Sequence, residues 1–163
     1  MSANKRALRL VRAMDNLASN SSMIAFDNFS ILNKVKLEAI SNGALKASFL
    51  VDKTKCNYGG ILHGGYIAAM VDVMSYFTAM MAPNGRVSFT TNMNVNYVKT
   101  VPIGEKVIVE TKTLKSGKSA LIETYLHSEN GSLLAKGTAS FLAADEKYQK
   151  ITKDNLDFDV YEN

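Results

Sequence analysis

Asp72 is the only charged residue in the apolar run of residues 66–82, and eight positions before it stands Gly64, in the stretch Asn57-Tyr58-Gly59-Gly60-Ile61-Leu62-His63-Gly64-Gly65. A carboxylate on an apolar helix is costly unless it is paired or hydrogen-bonded. Glycines at a helix start present unpaired backbone N–H groups at the positive end of the helix dipole, a ready place for an anion or a developing oxyanion. One group could therefore polarise a carbonyl while the other activates water or attacks directly. The residues do not choose between base and nucleophile for Asp72.

The helix rise sets Asp72 roughly 12 Å along the axis and about 80° around from Gly64, so one helix cannot bring both to the same small group. If the two cooperate, a second copy must lie antiparallel beside the first, giving two equivalent sites across a two-fold axis. A homodimer is then the smallest active unit.

His63 could serve as a base, although a helix-entry residue making structural hydrogen bonds is the plainer reading. Cys56 has no His–acid pair at a recognised spacing and is a weak nucleophile candidate. His127 falls in a strand and reads as structural, and two histidines with one cysteine make a zinc site improbable.

The elements that must position these groups follow from periodicity. Residues 57–65 form a glycine-rich loop feeding a buried helix, which Pro83-Asn84-Gly85 stops. Residues 35–40 and 44–52 read as a hairpin around Ser41-Asn42-Gly43. In residues 86–99 Val87, Phe89, Met93, Val95 and Tyr97 alternate with Ser88, Thr90, Asn92, Asn94 and Asn96, predicting a long strand with one apolar and one polar face. Turns at Pro102-Ile103-Gly104, Ser116-Gly117 and Glu129-Asn130-Gly131 then divide a three-strand meander. About six antiparallel strands can bury one apolar helix only by curling round it, an α+β fold. A short amphipathic helix with Leu8, Val11 and Met14 on one face precedes a polar connector. The expected division is an N-terminal helix and connector over 1–22, the domain proper over 23–145, and a peripheral tail over 146–163.

Composition narrows the function. A chain of 163 residues, 47% apolar, holds one domain with an adequate core. One cysteine rules out an internal disulfide framework and suits a reducing compartment. A net charge of +4, dispersed and mixed with acids, does not suggest a nucleic-acid groove. The apolar run, short and interrupted by Asp72, is not expected to span a membrane. The N-terminus lacks a signal-peptide core but carries no acid before Asp15, so a cytoplasmic address is expected with a mitochondrial one left open.

The run Asn57-x-x-Gly60-x-Leu62-His63-Gly64-Gly65 followed by Asp72, with Met93-Asn94-x-x-Tyr97 and Gly104-Glu105 downstream, resembles the hotdog-fold acyl-CoA thioesterases. The likeness covers roughly residues 30–143 and is nearest to the small phenylacetyl-CoA thioesterase and thioesterase superfamily member 2 type. It implies a hotdog fold that hydrolyses acyl-CoA to free acid and coenzyme A, in lipid metabolism, with no cofactor beyond the coenzyme A of the substrate and no metal. It also implies that Gly64 gives its N–H to the thioester carbonyl, with Asn57 holding that end and His63 and Gly65 beside it. Asp72 of the opposite subunit would activate water, supported by a hydroxyl at Thr90, where close relatives have Ser. Lys118 would meet the phosphates of coenzyme A, and two dimers would join in a tetramer. The competing readings are a hotdog hydratase or dehydratase and an acyl-CoA-binding regulator without turnover.

Overall fold

The computed structural model describes residues 3–19, 26–41 and 43–156. Strands β1 (Lys36–Ser41) and β2 (Ala44–Leu50) form the first hairpin, turning through Gly43 at φ 69, a left-handed value that glycine takes without steric cost. Helix α2 (Gly64–Met81) follows, then β3 (Ser88–Tyr97), β4 (Lys106–Lys115), β5 (Ser119–Ser128) and β6 (Leu133–Ala143). All six strands join one sheet in the order β1-β2-β4-β5-β6-β3. Strands β4 to β6 are the expected meander. Strand β3 crosses to the far side of β6 and becomes an edge.

The sheet curls round α2, burying Ile67, Met70, Val71, Met74, Phe77 and Met80 against a floor that includes Val107, Val109, Ile122, Leu126 and Phe141. The Ser75 and Thr78 hydroxyls within this interface are paired, as buried polar groups usually are. Ser75 meets Thr124 at 2.8 Å, and Thr78 donates to the Met74 carbonyl at 2.7 Å while meeting Thr111 at 2.5 Å. This is the hotdog fold. No helix among the described residues is long and apolar enough to cross a membrane.

Three local expectations change. In α1 (Ala3–Ser19) the buried seam is Ala7, Leu10, Ala13 and Met14, whereas Leu8 is 59% exposed. The alanines let the helix lie close to its neighbours, which carries Leu10 and Met14 inward and turns Leu8 out. The tail expected to be peripheral forms α3 (Glu146–Leu156), anchored by Gln149. The Gln149 amide nitrogen donates to the Val87 and Ala144 carbonyls at 2.8 and 3.1 Å, and its oxygen accepts the Val87 N–H at 3.1 Å. The polar connector falls partly, and the last part of the tail wholly, outside the described residues.

The third change is in β3. A bulge between Thr90 and Asn92 breaks the simple alternation, so Thr90 pairs with Phe141 and Met93 with Ala139, both on the helix side of β6. A bulge adds one residue to one strand and re-aims the side chains around it. Phe89 therefore turns outward, 52% exposed, and packs edge-on against Tyr148 of α3 with ring centroids 4.9 Å apart. Thr90, expected on the polar face, turns inward towards α2.

Gly137 lies where sheet and helix approach closely, since a Cβ there would sit 2.5 Å from Cγ1 of Val71. Gly137→Ala is expected to destabilise the fold by about 1–3 kcal/mol through overpacking. Combining it with Val71→Ala should cost less than the sum of the two single changes, which urea unfolding of all three variants would measure.

Candidate active site

The segment 51–63 reaches α2 through a chain of backbone hydrogen bonds. The Leu62 N–H donates to the Val101 carbonyl at 2.8 Å, and the His63 N–H donates to the Lys55 carbonyl at 2.8 Å. Within the loop, Oδ1 of Asn57 accepts the N–H groups of Gly59 and Ile61 at 3.0 and 3.2 Å, so this side chain braces the turn from inside. Its amide nitrogen makes no hydrogen bond among the described residues, which leaves a donor for a ligand.

His63 is the N-cap of α2: its Nδ1 accepts the Gly65 N–H at 2.8 Å, placing the neutral ring's proton on Nε2. A Cβ on Gly65 would sit 3.0 Å from that Nδ1, so glycine makes room for the cap. Gly65 therefore has its N–H engaged within the chain. The Gly64 N–H has no partner among the described residues and lies at the positive end of an 18-residue helix. Tyr97, at the end of β3, lies over this glycine and donates from its hydroxyl to the Gly64 carbonyl at 3.2 Å.

Most of α2 is buried, but Gly65, Ala68, Ala69, Asp72 and Tyr76 form one stripe that stays at least partly exposed. Asp72 lies in this stripe, partly exposed, and its Oδ1 accepts the Thr90 hydroxyl at 2.7 Å. The bulge in β3 thus brings a hydroxyl to the lone carboxylate of the helix. The pair can hold and orient a water molecule between them, with the carboxylate able to accept its proton.

Asp27 is a group that sequence reasoning missed. It begins a short π-helix, Asp27–Ile31, packed against α2, and is partly buried. Burial first and the charge of Asp72 second push its carboxyl above the usual range, and its own charge helps push the Tyr76 hydroxyl, chiefly raised by burial, to about 12. The available signal was an acid between two aromatics, Phe26 and Phe29.

Other candidates lie apart. Lys118 is exposed beside the start of β5, where its carbonyl accepts the Ala143 N–H at 2.8 Å. That is the end of the sheet near the C-terminus of α2, where Ser116 donates to the Pro83 carbonyl at 2.7 Å, so Lys118 is remote from Gly64 of its own chain. Cys56 donates to the Asp52 carbonyl at 3.2 Å. His127 stacks on Tyr125 with centroids 6.0 Å apart, and its Nδ1 is 3.9 Å from Glu110.

Comparisons with known proteins find thioesterases of the same fold. Residues 59–134, which contain the loop from Gly59 onward, α2, β3, β4 and β5, match the family model described as Thioesterase superfamily. The chain is 29% identical over 109 residues to acyl-coenzyme A thioesterase 13 of Mus musculus, covering 66% of this chain and 78% of that protein. The solved structure of zebrafish thioesterase superfamily member 2 aligns with a TM-score of 0.74 at 27% identity, covering 82% of this chain and 94% of that one. The mouse protein of the same name aligns with a TM-score of 0.71 at 25% identity, covering 83% and 97%.

The native state holds the Asp27 proton more tightly than the unfolded chain does, so this group's effect on stability becomes less favourable as pH rises through its titration. Asp27→Asn is expected to raise the melting temperature at pH 7 and to lose that advantage near pH 3.5. Thermal unfolding of both proteins across that range checks the sign; a gain equal at both pH values would refute it.

Proposed function

We propose that this hotdog-fold chain is a member of the thioesterase superfamily and a thioester hydrolase, cleaving acyl-coenzyme A to a free acid and coenzyme A at a site shared by two copies of the chain. The single observation that carries the mechanism is the Thr90–Asp72 hydrogen bond of 2.7 Å on the partly exposed stripe of an otherwise buried helix. In this reading the thioester oxygen sits at the free Gly64 N–H, with the Asn57 amide nitrogen as a second donor. His63 holds the helix start in place by capping it rather than by moving a proton. The carbonyl is polarised where negative charge develops in the transition state. Asp72, steadied by Thr90, receives a proton from water as the water oxygen attacks the carbonyl carbon. The tetrahedral intermediate then collapses, the C–S bond breaks, and the thiolate of coenzyme A leaves and takes up a proton. Attack by Asp72 itself, with an anhydride later hydrolysed, uses the same contacts.

The shared site follows from the sheet edges. Strand β1 is short, bulged and carries Lys36 and Glu38, features that blunt an edge against pairing. Strand β3 has ten residues without a charge, SFTTNMNVNY, and leaves Met93 and Tyr97 partly exposed at 37% and 56%. Two β3 edges pairing antiparallel about the bond between Met93 and Asn94 would set Thr90 of one copy opposite Tyr97 of the other. The Asp72–Thr90 pair would then stand beside the second copy's Gly64, and Lys118 would move towards that same end. This supports the dimer as the active unit. The outward Asn92, Asn94 and Asn96 offer a polar face on which two dimers can join in the expected tetramer.

The first test is thiol release from acyl-CoA by the purified protein. Asp72→Asn should lower kcat/KM by about 10²–10⁴-fold, the usual worth of a positioned base. Thr90→Ser should keep most activity, whereas Thr90→Val should lose about 10- to 100-fold, the worth of a hydrogen bond to a charged group. Acyl-CoA bound tightly and recovered intact would instead favour a binding regulator. Mixing inactive Asp72→Asn chains with chains blocked at Gly64 by substitution with Val should restore part of the activity in mixed dimers. Absence of any rescue would rule out the shared site.

A further inference from the structure

Helix α3 lies beyond residues 59–134, the part matched by the family model, yet it touches both elements that carry the Thr90–Asp72 pair. Its start is fixed just after β6. The Asp145 side chain accepts the Tyr148 N–H at 3.2 Å, and the Asp145 carbonyl accepts the Gln149 N–H at 3.1 Å. Three side chains then reach the supports of the site. Gln149, only 5% exposed, bonds Val87, the residue before β3. Tyr148 meets Phe89 of β3, and Thr152, one turn further on, shares a side-chain hydrogen bond with Tyr76, one turn beyond Asp72 on α2.

Gln149 supplies what a bulged edge strand lacks. Between the entry to β3 and the bulge there are only three rungs, Ser88 with Ala143, Phe89 with Leu142 and Thr90 with Phe141. A slip of one residue over so short a stretch would turn each side chain to the other face and send Thr90 away from Asp72. The Gln149 amide closes the end of this ladder. Its nitrogen donates to the carbonyls of Val87 and Ala144 and its oxygen accepts the Val87 N–H, so one side chain is bonded to the entry of β3 and the exit of β6 at once. The Ala144 N–H also donates to the Val87 carbonyl at 2.9 Å. A slipped register would break these bonds and leave the buried Gln149 amide unpaired, a costly state. Tyr148 acts in the same sense from the outer face. Successive strand side chains alternate, so a Phe89 ring held outward against Tyr148 keeps Thr90 turned inward.

We propose that α3 is a positioning clamp for the reaction: Gln149 and Tyr148 hold the bulged start of β3 in the register that presents the Thr90 hydroxyl to Asp72, while Thr152 ties the same helix to α2. The proposal rests on the acyl-CoA hydrolase reading and adds positioning residues outside the matched segment. Because these residues act through Thr90, their effect falls on the chemical step and not on substrate binding.

The test measures kcat and KM for thiol release from the acyl-CoA that the parent turns over fastest among acetyl-, octanoyl- and palmitoyl-CoA, well below the melting temperature of every variant. Gln149→Met keeps the side-chain length and removes the amide. It should lower kcat by about three- to tenfold, within the loss expected of Thr90→Val, and leave KM within about twofold. Tyr148→Leu, nearer the surface, should lower kcat in the same direction and carries the test if Gln149→Met does not fold. Placed on Thr90→Val, each substitution should change kcat by less than about twofold, since the hydroxyl it positions is gone. A helix that served stability alone would lower the melting temperature and leave the kcat of the folded protein untouched. Folded variants with the parent's kcat would therefore overturn the clamp and leave the hydrolase standing, as would equal fold-losses with and without the Thr90 hydroxyl. A parent that releases no thiol from any of the three, or a Thr90→Val protein with full activity, would overturn the reading of the site and the clamp with it.

Discussion

An apolar helix of eighteen residues has to be hidden, and the rest of the chain is arranged to hide it. Burial of each large side chain contributes roughly 1.5–3 kcal/mol, which is the dominant reward available to a chain of this size. A six-stranded sheet can curl round most of a helix but not all of it, and the stripe left partly exposed falls on Gly65, Ala69, Asp72 and Tyr76. The small residues in that stripe permit close approach, and the one carboxylate keeps access to polar partners. The π-helix at Asp27–Ile31 lies against this same helix, so the N-terminal segment adds to what the sheet covers.

The electrostatics of the helix divide the labour along its length. Its first turn, capped by His63, leaves one backbone donor at Gly64 in the positive field of the dipole. Two turns later the partly exposed Asp72 accepts a hydroxyl, and near it lies a second acid, Asp27, whose proton is held more tightly, first by burial and second by the charge of Asp72. Attraction for developing negative charge and affinity for a proton are thus separated by the helix rise. In the proposed reading one element meets the needs of carbonyl polarisation and water activation, with a second copy supplying the missing end.

The two edges of the sheet are treated differently, and the difference has consequences for function. At β1 a bulge and alternating charges discourage pairing. At β3 the edge is long and uncharged, and its bulge lies at Thr90–Asn92, near one end of the strand. That bulge has a local role as well, because it turns Thr90 under the edge and onto α2. A single inserted residue therefore links the hydroxyl at the site to the edge suited to a second copy.

Much of this was legible in the sequence because the signals were periodic. The lone Asp72 in an apolar run, the glycines before it and the turn residues between strands determined the helix, the six strands and the charged residue that is the candidate for the site. The side of the strand that Thr90 occupies was not legible, since a bulge shifts the period by one without changing composition, and only pairing with β6 decides where it falls. The docking of α3 was equally hidden: Gln149 in a polar tail gives no periodic signal until the Val87 backbone is in reach. Asp27 was missed for the same reason, because its environment comes from α2, some 45 positions later in the chain at Asp72. Local patterning fixed the central helix and the six strands. Which of those residues meet was decided by tertiary structure alone, since burial and Coulomb interaction act through space rather than along the chain.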